Sequence, residues 1–226
     1  MYSIVIVGCG ATGSNLATFV SQLAVSDKSI KEIVLIDGDK VESKNFINQK
    51  FSSKDINKYK SQVLATRFRK LGINISYIDE FIRDESDLIN LISSLKGTVI
   101  LVGAVDNNMA RRYMELTFKS NEVPDLIYID TGNGDKDRCG QTVVGAKKDN
   151  IIVSQPVSAY YNILKDETIV EVDKYSCSQV EKHPQNLATN ILSATTVFLM
   201  ISNIVSGRKV GKVFTRFNVD TVSIGR

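Results

Sequence analysis

The chain has 226 residues, of which 43% are hydrophobic and 23% are charged, a composition typical of one globular α/β domain. Its 28 basic and 25 acidic residues leave a net charge of +3 without a long run of one sign, which argues against a nucleic-acid or membrane partner. The three cysteines form no Cys-x-x-Cys pair, so no structural zinc site is expected, and the first predicted strand lies too close to Met1 for a signal peptide, so we expect a cytoplasmic location.

Short β-branched segments alternate with helical patterns, which is typical of a parallel sheet covered by helices. Strands are predicted at YSIVIVG, EIVLID, INISYID, GTVILVGAV and DLIYID, and helices at about 12–24, 56–70, 84–95 and 106–120. After Asp130 come a glycine-rich turn, an antiparallel strand (TVVGA), an apolar helix over Asn186–Ser206 and a C-terminal hairpin. We therefore predict one α/β domain over 1–226. Its sheet is mostly parallel and flanked by helices, with antiparallel strands toward the C-terminus and an irregular segment at about 155–185.

Three glycines follow the first strand in the order of a dinucleotide-binding fingerprint. Gly8 allows the tight turn, Gly10 lets a phosphate approach the backbone, and Gly13 lets the helix pack closely on the strand. Asp37 ends the second strand, where the fingerprint places an acid that binds ribose hydroxyls. The alternatives are a structural tight turn at the glycines and a turn or cap residue at Asp37. The pattern favours a Rossmann-like nucleotide-binding domain, and it does not by itself choose between ATP and NAD.

The segment after the second strand, VLIDGDKVESKNFINQKF, resembles the corresponding segment of the ThiF/MoeB/HesA family, the bacterial relatives of ubiquitin-activating enzymes. The spacing matches at Asp37, Asp39, Val41, Asn45 and Gln49. Three later motifs resemble those of the family in the same order: NKYKSQV with Lys60, VDNNMARRYM with Asp106 and Arg111, and a glycine-rich segment ending in Gly140-Gln141-Thr142. The resemblance extends from Ile4 to about Gly145.

The resemblance implies that the chain binds ATP and Mg²⁺ and adenylates a carboxylate. In this interpretation Lys60 contacts the phosphates, Asp106 holds Mg²⁺, and Asn45 and Gln49 donate hydrogen bonds to the triphosphate. Such chemistry fits the reaction, because negative charge grows on the leaving pyrophosphate and cations stabilise it. Taken singly, Lys60 is better explained as a solvated helix lysine and Asp106 as a helix cap, and it is the ordered set of motifs that favours the functional roles.

The chain departs from the family pattern at Asn48, where the family has an arginine, and an amide cannot make the bidentate phosphate contact of a guanidinium. Binding without efficient catalysis therefore stays open. Cys177 lies in a stretch that resembles the thioester-forming cysteine region of ubiquitin-like-protein activating enzymes, and also the Ser-Cys-Ser stretch in ThiF-type proteins of PRTRC plasmid systems. Its alternative is an incidental thiol.

The leading hypothesis is an ATP-dependent adenylyltransferase that acts on the C-terminal carboxylate of a small ubiquitin-like or sulfur-carrier protein, with Lys60, Asp106 and Cys177 as catalytic residues. The resemblance also implies a homodimer. One alternative is an NAD-dependent oxidoreductase that uses the same glycine fingerprint, and another is a non-catalytic nucleotide-binding subunit, which Asn48 favours.

Overall fold

The computed structural model describes residues 1–133, 138–163, 186–208 and 213–225. Within them the strands are β1 Tyr2–Val7, β2 Ile30–Ile36, β3 Ile75–Ile78, β4 Thr98–Gly103, β5 Leu126–Asn133, β6 Cys139–Lys148, β7 Ile151–Ser154, β8 Phe214–Asn218 and β9 Ser223–Gly225. The α-helices are α1 Ala11–Ser26, α2 Lys60–Arg69, α3 Glu85–Ser94, α4 Asn108–Lys119 and α5 Leu187–Val205.

The strands form one mixed sheet in the order β3-β2-β1-β4-β5-β6-β8-β9, with β7 paired to β6. The five strands from β3 to β5 are parallel, and β6 to β9 pair antiparallel, which confirms the predicted fold class. β1 and β4 are neighbours in the middle of the parallel strands. The chain passes from β1 to β2 on one side of this pair and from β4 to β5 on the other side, so the strand order reverses between β1 and β4. A ligand-binding crevice is expected at the carboxyl ends of these strands.

Two hydrophobic layers cover the sheet. Ile4 and Ile6 of β1 pack with α1, α2 and α5, whereas Val5 and Val7 face α3 and α4. The alternation follows from the period-two side-chain geometry of a strand buried on both faces. The layers account for the apolar character of β1 and position the helices that follow the strands.

Two helices begin at least two residues later than the sequence predicts. The helix expected from Ile56 begins only at Lys60, because Asn57 adopts a left-handed conformation with φ of +64° that a right-handed helix does not accept. The helix expected from Asp106 begins at Asn108, because Asn107 rather than Asp106 is its N-cap. The strand Ile151–Ser154 was not predicted, and residues 164–185 of the predicted irregular segment lie outside the described residues.

Helix α5 is long and apolar enough to span a membrane by length and composition, with a mean hydropathy of 1.5, but 56% of that window is buried inside the protein. Its inner face, including Val197 and Ile201, belongs to the same hydrophobic layer as α1 and α2. A helix packed in a protein core has the same length and apolar composition, so the composition of α5 is explained by its packing.

Candidate functional site

The glycine loop between β1 and α1 leaves an opening above the helix N-terminus. Gly8 has φ of +92°, and a Cβ on Gly13 would lie 1.9 Å from the carbonyl oxygen of Gly8, so no larger residue fits there. A Cβ on Gly10 would instead meet nothing within 4 Å. Gly10 is the N-cap of α1, and no side chain among the described residues caps it. The loop therefore presents backbone N–H groups and the positive end of the helix dipole to an anion.

Asp37 directly follows β2 and contacts this loop. Its carboxylate accepts hydrogen bonds from the backbone N–H of Cys9, at 2.6 Å, and of Asp39, at 2.8 Å. Burial raises the pKa of Asp37, against the opposing effect of the Lys60 ammonium and these two hydrogen bonds. The carboxylate therefore fixes the glycine loop relative to β2, at the position where the fingerprint places a ribose-binding acid.

Lys60 and Asp39 form an ion pair next to Asp37. The Lys60 Nζ lies 2.8 Å from the Asp39 carboxylate, and the side chains are 8% and 31% exposed. The pair is held locally because the Lys60 backbone N–H donates to the Asp39 carbonyl oxygen at 2.9 Å and Lys40 and Tyr59 form a β-bridge. The structure thus brings together two residues that the sequence predicted separately. The Lys60 ammonium also lies close enough to Cys9 and Asp37 to counteract the rise that burial causes in the pKa of each.

The segment with Asn45 and Gln49 begins with a short 3-10 helix, Ser43–Ile47. The buried Asn45 accepts from the Glu42 backbone N–H at 2.8 Å, so its oxygen caps this helix. Gln49 differs, because its Oε1 atom is buried without a partner and its amide keeps unused hydrogen-bonding capacity. The next residue, Lys50, ties the segment to α1 through a 3.1 Å bond from its N–H to the Ser14 hydroxyl. The Oε1 atom can accept a hydrogen bond from a ligand hydroxyl or amine, whereas a contact with phosphate oxygens requires the Gln49 side-chain NH₂ group.

The loop between β4 and α4 carries Asp106 at the same end of the sheet. Asn107 caps the helix by accepting from the Ala110 N–H at 2.8 Å, which leaves the exposed Asp106 without the cap role weighed for it. Arg111 holds the loop by donating to the Val105 carbonyl at 2.7 Å and pairing with the buried Asp130 at 3.3 Å. Arg111 therefore has a structural role: it fixes the position of the Asp106 loop against β5.

The described residues contain no group of three or more His, Cys, Asp or Glu side chains that could hold a metal by themselves. Magnesium in nucleotide sites is usually bound by one or two carboxylates together with phosphate oxygens. The solvent-facing carboxylate of Asp106 fits that mode. The residues present are therefore compatible with Mg²⁺ that arrives with a triphosphate.

A polar cluster that the sequence did not predict joins the glycine-loop helix to α5. Asn133, at the end of β5, donates to the Asn190 Oδ1 at 2.7 Å, and the Thr12 hydroxyl donates to the same oxygen at 3.3 Å. Asn133 Oδ1 and Asn190 Nδ2 are buried without partners. The available signal was Asn190 in the first turn of a mostly apolar helix, since a buried amide requires hydrogen bonds.

The cysteines divide by environment. Cys9 is fully buried. Burial, and to a smaller extent the negative charge of Asp37, raises the pKa of its thiol. A thiol that stays protonated is a poor nucleophile, so Cys9 has a packing role. Cys139 is partly exposed at the start of β6. Cys177 lies outside the described residues, and its predicted role as a thioester acceptor stays a prediction.

Comparison with known proteins finds one protein family whose model matches this chain and several solved structures with the same fold as this chain. The model of the ThiF family matches residues 1–130. E. coli MccB crystallised with AMPCPP and selenomethionyl MccA superposes with a TM-score of 0.69 at 20% identity, covering 99% of this chain and 64% of MccB. E. coli MccB with ATP gives 0.68 at 18% identity with the same coverages, and selenomethionyl PaaA gives 0.68 at 16%, covering 99% of this chain and 62% of PaaA.

The chain thus spans less than two thirds of the length of these proteins, and at these identities the likeness concerns the fold. No curated protein matches the chain significantly.

Proposed function

The chain belongs to the ThiF family, and from that premise we propose that it is an ATP-dependent adenylyltransferase that activates the C-terminal carboxylate of a peptide or small protein. The observation that carries the proposal is the buried Lys60 ammonium, paired with Asp39 beside the glycine loop. A cation fixed there lies where the phosphates of a nucleotide on the α1 N-terminus are expected. The structures of MccB with nucleotide and MccA support the same assignment by analogy.

The proposed reaction joins the substrate carboxylate to the α-phosphorus of ATP and breaks the bond to pyrophosphate. Lys60 and the loop N–H groups stabilise the charge that develops on the phosphate oxygens. Asp106 holds Mg²⁺, which neutralises these oxygens when the nucleotide is bound. Asp37 binds the ribose hydroxyls, and the side-chain NH₂ group of Gln49 donates to the triphosphate oxygens. Asn48, which ends the 3-10 helix, supplies no charge in place of the family arginine.

Two alternatives use the same glycine loop, and binding measurements separate them. We expect calorimetry to detect ATP binding and no binding of NADH. Binding of NADH without ATP would contradict the proposal and favour the oxidoreductase. Binding of ATP without any carboxylate-dependent turnover would favour the non-catalytic subunit, for which Asn48 argues.

The proposed substrate class is a small ubiquitin-like or sulfur-carrier protein, as the resemblance to the ThiF/MoeB/HesA family implies. Transfer of the activated carboxyl group to the Cys177 thiol, with release of AMP, follows in this proposal. The likeness of the Cys177 stretch to the thioester-forming cysteine region of ubiquitin-like-protein activating enzymes motivates that step.

Cys177→Ala is expected to leave adenylation unchanged and to abolish a carrier adduct that thiols cleave. The reason is that the thiol acts only after the adenylate has formed. Non-reducing electrophoresis of the enzyme with ATP and a carrier measures the adduct, with Ser176→Ala as the control substitution in the same stretch of sequence. An adduct that persists in Cys177→Ala would show that another group accepts the carrier.

We also propose a homodimer formed through α1 and α5. Helices α1 and α5, of 16 and 19 residues, contain no charged side chain, and they pack together through Phe19 and Phe198, whose ring centroids are 5.7 Å apart. Their outer surface exposes apolar side chains, with Leu187, Ile191 and Leu199 at 44%, 36% and 51%. A charge-free apolar face is suited to a second identical face, because neither copy has to bury an unpaired charge.

Leu199→Glu is expected to convert the dimer to a monomer, because each copy would have to bury an unpaired carboxylate in the apolar contact. Sedimentation equilibrium measures the mass of each species. Leu71→Glu is the matched control, since Leu71 is 45% exposed and lies outside both helices. A wild-type chain that is monomeric, or a Leu199→Glu variant that stays dimeric, contradicts this interface.

A further inference from the structure

An open cavity lies on the face of β6, β8 and β9, beyond the strands that form the nucleotide site. Its volume is about 510 Å³, and its lining includes Cys139, Gln141 and Arg216. Gln141 and Arg216 are directly opposed on neighbouring antiparallel strands, and Cys139 lies two residues before Gln141. By strand alternation the three side chains share one face of the sheet.

Arg216 is held in this cavity by aromatic side chains. Its guanidinium lies over the ring of Phe214, with 5.2 Å between the guanidinium carbon and the ring centroid. Phe214 in turn stacks on Tyr160, with centroids 4.9 Å apart and the ring planes 5° from parallel. Among the described residues no carboxylate pairs with Arg216, whereas the nearby Arg138 pairs with Asp220 at 2.7 Å. Arg216 is therefore an exposed cation in a preorganised position, suited to a carboxylate.

Gln141 links the cavity lining to the end of β5, because it pairs with Gly132 of that strand. A Cβ on Gly132 would lie 2.9 Å from the Gln141 amide nitrogen and 3.3 Å from a guanidinium nitrogen of Arg111. Both side chains therefore lie over Gly132, and Arg111 also holds the loop that carries Asp106. A chain that left the nucleotide along this edge of the sheet would reach Gln141 before Arg216.

We propose that this cavity binds the tail of the substrate upstream of the carboxylate that is adenylated, and that Arg216 pairs with an acidic side chain of that tail. The inference rests on the proposed function for the identity of the tail. In the strand order, β1 and β8 are four neighbour steps apart. At about 4.8 Å per step and about 3.3 Å per extended residue, the acidic residue lies roughly six residues before the terminal carboxylate.

The test uses eight-residue synthetic peptides of glycine, alanine and serine with a free C-terminal carboxylate and an N-terminal fluorophore. One peptide carries aspartate six residues before the terminus, a second has asparagine there and a third has lysine. Fluorescence anisotropy measures the dissociation constants without ATP. We expect the aspartate peptide to bind about 10-fold more tightly than the asparagine peptide, as for a charge-assisted pair.

Arg216→Gln is expected to remove this preference, and Arg216→Glu to shift it to the lysine peptide, a readout that a merely structural role would not produce. Arg138→Gln is the control, because that arginine is paired with Asp220. Equal affinity of the wild-type protein for the aspartate and asparagine peptides, or a preference that survives in Arg216→Gln, overturns the inference. An absence of adenylation activity with the preference intact would refute the proposed function and leave the tail site standing.

Discussion

Lys60→Ala is expected to lower carrier-dependent ATP–pyrophosphate exchange by about 100-fold, the typical effect of removing one preorganised electrostatic group from a transition state. Lys60 is the first residue of α2, and its ammonium is nearly buried against Asp39. A cation that is already desolvated and oriented does not have to reorganise when charge develops on the phosphates. The effect is therefore expected mainly in turnover, with a smaller loss of ATP affinity.

Lys58→Ala is the matched control for this prediction. Lys58 is exposed two residues away, and its ammonium donates to the Lys54 carbonyl oxygen at 2.8 Å. Lys60→Ala is also expected to lower the thermal stability, because the partly buried Asp37 loses the nearby cation, so exchange is measured at a temperature where both variants are folded. An exchange rate in Lys60→Ala equal to that of Lys58→Ala would show that Lys60 does not contact the phosphates.

Asp106→Ala is expected to lower exchange by about 100-fold or more at saturating ATP, because a bound metal supplies several kcal/mol of charge stabilisation. The magnesium concentration needed for half-maximal rate should rise as well. The stability of the fold should not change, because Asp106 is exposed and is not the N-cap of α4. Exchange measured over a magnesium titration tests the prediction.

Asn107→Ala is the control next to it, with the opposite pattern of effects. Asn107 caps α4, so its replacement should destabilise the protein by about 1 kcal/mol while the half-maximal magnesium concentration stays unchanged. Chemical denaturation measures the free energy of unfolding. If Asp106→Ala loses stability and keeps its exchange rate, Asp106 is a structural residue and the proposed metal site is wrong.

The parallel half of the fold could be predicted from the sequence because local patterns determine it. The β1 strand is apolar on both faces, as a strand between two helical layers must be. The glycines that follow it allow the tight turn from β1 into α1. The start of α2 was missed because the left-handed conformation of Asn57 has no apolar signature. Strand β7 was missed because its four residues are too few for an alternation to be recognised.

The site residues that lie in the loops after predicted strands could be predicted from the sequence. Asp37 comes directly after β2 and Asp106 three residues after β4, and both strands pair with β1, so their ends lie close together. The contacts between side chains were not predictable in the same way. The ion pair between Asp39 and Lys60 depends on how the loop folds back, and the contact of Asn133 with Asn190 joins residues 57 positions apart.

The most direct test of adenylation is exchange of labelled pyrophosphate into ATP with a panel of small ubiquitin-like and sulfur-carrier proteins. Each carrier is supplied with a free C-terminal carboxylate and, as its control, with the same terminus amidated. We predict exchange only with free carboxylates, because the amide cannot form the acyl adenylate. Exchange that is equal with amidated carriers, or its absence with every free carrier although ATP binds, would contradict carboxylate activation by this chain.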